Sequence, residues 1–247
     1  MSNYNQLPDI YTDDNLINPF IKSPNADYGI FFYATKETLG IDASYFKSFI
    51  NSCKRAFRSS TTYKNYKSYL YSIGLDRCQI MPNIKASDDM ASIEMHHNGI
   101  TLEEIIIIIV NHTLNTVGHC TTFDIVTELK RIHKANQVPL VMLSKTSHQL
   151  ADNNETFVVP AQMCFGFWTV FLNEHRMGIT PGIAKKIYFF IKKSLEFDDS
   201  STELNKELIG LRDEMKGWSE YNEYSGLCDL YNYGNNYTNA IGNDSSF

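Results

Sequence analysis

The sequence predicts an α+β chain, mostly helical, with a few short strands near its middle. Three observations carry that expectation. Apolar residues recur at helical spacing through several long segments, such as Tyr45, Phe46, Phe49, Ile50, Cys53 and Phe57. Helix-start signals stand at Thr101-Leu-Glu-Glu104 and Ser200-Ser-Thr-Glu203, where a hydroxyl and a carboxylate three residues on satisfy each other's backbone N–H groups. Strand-like residues come only in short runs broken by turn formers, as in QIMPNIKASDD, SIEMHH and VPLVMLS.

Taken in order, residues 1–42 hold Pro8, Pro19 and Pro24 among many Asn and Asp, and read as an arm with short elements, docked through Ile17, Phe20 and Ile21. Residues 43–75 form a basic helical segment. Between 43 and 72 it carries Lys47, Lys54, Arg55, Arg58, Lys64 and Lys67 and no acidic residue. Residues 76–197 make a core with a helical insertion. It opens with two short strands around a turn, with Ile80, Ile84, Ile93 and Met95 as their apolar residues. A helix then runs from Thr101 to about His112, a loop covers LNTVGHC, and a second helix opens at Thr121 or Thr122 with Ile125, Val126, Leu129 and Ile132 on one side. ANQVPLVMLS follows as a short strand, KTSHQLADN as a helix start and turn, ETFVVP as a strand, and 161–177 and 181–196 as helices, the last with Pro181 in the favoured first turn. Residues 198–218 form a C-terminal helix with Leu204, Leu208, Leu211 and Met215 on one seam. Residues 219–247, rich in Tyr and Asn, read as a flexible tail.

Composition narrows the function. A net charge of −6 argues against nonspecific coating of DNA or anionic membrane, because such binding rests on many Lys and Arg contacts to phosphate. Five scattered cysteines without a CxxC argue against a zinc ribbon or a disulfide framework and for a reducing compartment. The polar, acidic start is no targeting leader, and IIIIIV at 105–110 is too short to span a bilayer. The expectation is a cytoplasmic protein with no membrane partner.

The candidate site starts from SIEMHH. Adjacent residues on a strand face opposite sides, so His96 and His97 offer one ring to a metal and the other to water. An imidazole of ordinary pKa, near 6.5, is a workable base at neutral pH, and a cation stabilises the leaving oxygen of a phosphodiester. Downstream, His148 and Asp152 are four residues apart and share a face if that stretch is helical. EMHH followed by VPLVMLSKTSHQLADN resembles the HNH (His-Me finger) nucleases, closest to phage-encoded members with a long insertion. The resemblance covers about residues 76–195. It implies a small ββα-metal-like core, with His96, His148 and Asp152 as ligands of one divalent ion (Mg, Mn or Zn) and His97 as the general base. It further implies hydrolysis of nucleic acid, DNA first, in a host cytoplasm. The position of the family's central asparagine falls near Leu140, and Asn136 is the nearest asparagine.

Lys54, Arg55, Arg58, Lys64 and Lys67 are the candidate phosphate contacts, with Tyr63, Tyr66 and Tyr69 available for stacking. His133 reads as structural, His112, His119 and His175 belong to no cluster, and Glu103-Glu104 and Asp88-Asp89 read as a helix start and a turn. The competing reading is a catalytically inactive phage structural, packaging or host-inhibiting protein on an HNH-like scaffold. A homodimer, or a phage or host protein, is then the partner.

Overall fold

The centre of the protein is a helix that is apolar on every side. In the computed structural model, which describes residues 33–41, 43–88, 91–153 and 157–220, that helix spans Leu102–Thr116. Ile105 to Val110 are all buried in it, as expected of a helix surrounded by its own protein. Thr101 caps it. Its hydroxyl accepts from the Glu104 amide at 3.2 Å, while Glu104 Oε2 accepts from the Thr101 amide at 2.8 Å.

The full order is β1 (Tyr33–Thr35), α1 (Lys36–Ile41), α2 (Ala43–Ser59), α3 (Thr61–Ser72), β2 (Ile93–His97), α4 (Leu102–Thr116), β3 (His119–Thr121), α5 (Thr122–Lys134), β4 (Leu140–Ser144), α6 (Lys145–Asn153), α7 (Trp168–Glu174), α8 (Pro181–Phe197) and α9 (Glu203–Glu220). Short 3-10 turns occupy Ala161–Met163 and Arg176–Gly178. The architecture is α+β and mostly helical, with two antiparallel two-stranded sheets, β1–β3 and β2–β4. One hydrophobic core runs through it, drawing Phe46, Phe49 and Phe57 from α2, Ile125 and Leu129 from α5, and Ile187 and Leu208 from α8 and α9. α2 and α5 flank α4, and α9 lies along α8.

Several expectations change here. The strand partner of SIEMHH is VPLVMLS, with Met95 opposite Met142 and His97 opposite Leu140, not the Ile80–Ile84 stretch. Among residues 76–88 the strand-like pairing is the single bridge Arg77–Lys85. Ile80 and Ile84 instead pack half-buried against the core from a looped segment. The expected loop 114–120 is split between the end of α4 and β3, because Cys120 is buried opposite Ala34 of β1. Residues 157–160 of the expected ETFVVP strand are irregular. Residues 161–177 are not one helix but a 3-10 turn, the bridge Leu140–Phe165, α7 and a second 3-10 turn. Leu208, Leu211 and Met215 form the α9 seam, whereas Leu204 is exposed. Ile17, Phe20, Ile21 and the tail beyond residue 220 lie outside the described residues. No helix among the described residues is long and apolar enough to cross a membrane.

Candidate metal centre

β2 alternates strictly: Ile93, Met95 and His97 are buried, while Glu94 and His96 on the other face are half-buried. α6 follows β4 directly and packs on both strands. Strand, strand and helix therefore bring the Glu94/His96 face of β2 against the side of α6 that carries His148 and Asp152.

The geometry there is close. One ligand atom each from His96, His148 and Asp152 can be chosen so that all lie within 4.8 Å of one another. His96 Nδ1 is 3.7 Å from Asp152 Oδ1, and His148 Nε2 is 3.4 Å from Asp152 Oδ2. The two rings meet edge to face with centroids 4.7 Å apart. Donors about 2.1 Å from a tetrahedral ion stand about 3.4 Å from each other, so these spacings suit a coordination shell. On its far side His148 Nδ1 donates to Glu94 Oε2 at 2.5 Å. Neutral His148 then has its lone pair on Nε2, directed at a carboxylate oxygen. Two acceptors facing each other can be bridged by a proton, a water or a cation.

His96 is held low, to about 4, first by burial and then by the neighbouring His148 and Lys186, with Asp152 opposing. The ring is neutral near pH 7, the state in which imidazole binds metals. Lys186 is gripped by both carboxylate oxygens of Glu104 at 2.8 Å, so its charge is offset locally.

His97 does not join this cluster. Its side of β2 faces the interior, and only 8% of the residue is exposed. His97 Nε2 lies 3.1 Å from His133 Nε2, and His133 Nδ1 lies 2.7 Å from the Leu129 carbonyl. A carbonyl only accepts, so His133 carries its proton on Nδ1 and accepts at Nε2, and His97 donates from Nε2–H. The His133 ring packs against Phe57 and Tyr66, with centroids 4.4 and 5.6 Å away. Burial and the adjacent His133 push His97 well down. A ring so placed is turned away from the His96–His148–Asp152 cluster, with its Nε2–H already engaged. The residue expected as the base thus sits in a buried hydrogen-bond pair with His133, because β2 turns that face to α2 and α5.

The basic segment divides as well. Lys54 pairs with Glu103 at 3.2 Å, and Lys67 lies over the Tyr71 ring at 5.5 Å. Arg55, Arg58 and Lys64 are exposed and form no ion pair among the described residues. Tyr66 is buried, its hydroxyl donating to Asn136 Oδ1 at 3.0 Å, and is not free to stack on a base. Of the remaining histidines, His175 reaches the Phe171 carbonyl and Glu128 Oε1, each at 3.0 Å, and His119 stacks on Tyr33. Glu94 was missed in the sequence. The signal that finds it is the strand period, which puts residues 94 and 96 on one face.

The fold and site define a mostly helical α+β chain with a mixed histidine–carboxylate cluster between a strand pair and a helix. A family model described as bacteriophage G278-like virion protein matches residues 14–218, and the chain belongs to that family. No curated protein and no solved structure matches the chain. The phage association implied by the sequence resemblance stands at that level. The family found is not that of the HNH nucleases.

Proposed function

We propose that this chain is a structural component of a phage particle, without catalytic activity, built on a strand–strand–helix unit of the His-Me finger kind. Its partners are other phage proteins or further copies of itself. The observation that carries the reading is membership of a virion protein family over residues 14–218. The interior position of His97 supports it, since the one residue suited by sequence to activate water is used to hold β2 to α5. The same reading assigns a divalent ion to His96, His148 and Asp152, which ties α6 to β2. Mass spectrometry of gradient-purified particles is the test. The chain is expected at a fixed copy number per particle. Its presence in the lysate but not in washed particles would defeat the reading.

The histidine cluster favours a second reading, metal-dependent cleavage of nucleic acid. An ion there would act as a Lewis acid on a phosphate oxygen. His96 and His148 would hold it, while Arg55, Arg58 and Lys64 would contact the backbone. Plasmid incubated with the full chain and Mn or Mg decides between them. The structural reading expects no cleavage above that of the His148→Ala variant. Metal-dependent nicking that His148→Ala abolishes would establish the hydrolase instead.

A further inference from the structure

We infer that Glu94 is the positioning residue of this centre, and that the centre takes a borderline transition metal such as zinc or cobalt in a structural role rather than magnesium or calcium. The inference rests on the assignment of an ion to His96, His148 and Asp152.

The argument starts from the atom that Glu94 touches. Its Oε2 accepts from Nδ1 of His148, the nitrogen turned away from Asp152. That bond fixes which nitrogen of His148 carries the proton and leaves Nε2 free on the Asp152 side, 3.4 Å from Oδ2. A carboxylate behind a ligating imidazole holds the ring's tautomer and direction and makes the other nitrogen a better donor. Glu94 reaches this place because it shares a strand face with His96, so one strand supplies a ligand and the support of another. His148 and Asp152 share a helix face four residues apart, and the ion would tie that helix to the strand. Two imidazole donors and one carboxylate suit zinc or cobalt, whereas magnesium and calcium call for oxygen donors in larger number. Lys186, the cation beside His96, stays bound to Glu104.

The test uses the full chain, stripped with chelator and titrated with cobalt while the visible spectrum is recorded. Zinc affinity is measured by competition with a chromophoric chelator. One cobalt per chain is expected, displaced by zinc and not by millimolar magnesium. Glu94→Gln is expected to weaken zinc by about 10- to 100-fold, with its far-ultraviolet circular dichroism unchanged and partial recovery in Glu94→Asp. Equal affinity in wild type and Glu94→Gln would overturn the role of Glu94 while leaving the ion assignment standing. Displacement of cobalt by equimolar magnesium would overturn the metal class. No cobalt or zinc uptake by wild type would overturn the ion assignment and this inference with it. Should Glu94→Gln fold poorly, nitrogen chemical shifts of His148 in the zinc-loaded wild type decide. Protonated Nδ1 is expected, and ligation through Nδ1 would sink the proposal.

Discussion

Acidifying the chain from pH 7 to pH 4 is expected to remove about 3 kcal/mol of folding stability through His133, given about 1.4 kcal/mol for each unit of pKa displacement. Burial holds this ring down to about 4 from 6.5, with the Leu129 carbonyl opposing. Between those two values the unfolded chain binds a proton that the folded chain refuses, so stability rises with pH across that window. The contribution is complete above pH 6.5, falls away on the path to pH 4, and changes no further below it. His97 is displaced in the same direction, first by burial and then by His133, and steepens the loss. Glu128 acts in a separate, more acidic window. Burial alone would raise it, but hydrogen bonds from His175 and Arg131 outweigh that and hold it near 2. Its stabilisation is present above pH 4.5 and is lost towards pH 2. Urea unfolding at half-unit intervals from pH 7.5 to 4 reads the first window. His133→Leu is expected to begin about 1–3 kcal/mol less stable at pH 7, because the His97 N–H loses its acceptor, and then to lose less on acidification. A wild-type curve flat between pH 7 and pH 5 would contradict the buried pair.

What could be read from the sequence follows the range of the interaction that encodes it. Thr101 and Glu104 lie one helical turn apart and carry their own geometry, as do Thr180 and Pro181 at the start of α8. The partner of β2 could not be read in the same way. Ile80 and Ile84 lie nearer in sequence and look like strand residues, but β2 pairs with β4, whose Leu140, Val141, Met142 and Leu143 are buried on both faces. Two helices intervene between β2 and β4, and their packing, not any local pattern, closes that distance. The candidate site divides along the same line. Alternation along β2 shows that His96 and His97 part company. It does not show which face meets solvent, because Phe57 of α2 and His133 of α5 decide that. His148 and Asp152 were legible as a pair because four residues make one turn. That the pair meets His96 depends on the β2–β4 register. The overall charge said nothing of Arg55, Arg58 and Lys64, which stay exposed on an acidic protein.

Gly178→Ala is expected to cost about 3 kcal/mol or more, the upper end for overpacking, because the atoms in the way are backbone. A Cβ at this position would stand 1.8 Å from the Ile108 carbonyl oxygen and 2.7 Å from the His112 amide nitrogen. Neither can swing aside as a side-chain tip would, since both belong to the central helix α4. The 3-10 turn Arg176–Gly178 would have to lift from that helix. Lifting it would break the bonds that Asn111 and Asn115 of α4 donate to the Gly178 and Met177 carbonyls, at 3.4 and 2.7 Å, and would part the His112 and His175 rings, now 5.1 Å apart. His175 carries Glu128 with it, so α7 and α5 would loosen together. Gly210 supplies the control. It lies in α9 with nothing within 4 Å of a built Cβ, and Gly210→Ala is expected to stabilise by about 0.5–1 kcal/mol through helix propensity. Chemical melts of the two variants beside wild type should therefore move in opposite directions. A Gly178→Ala midpoint matching wild type would mean that α4 does not pass as close to the turn as its backbone contacts require.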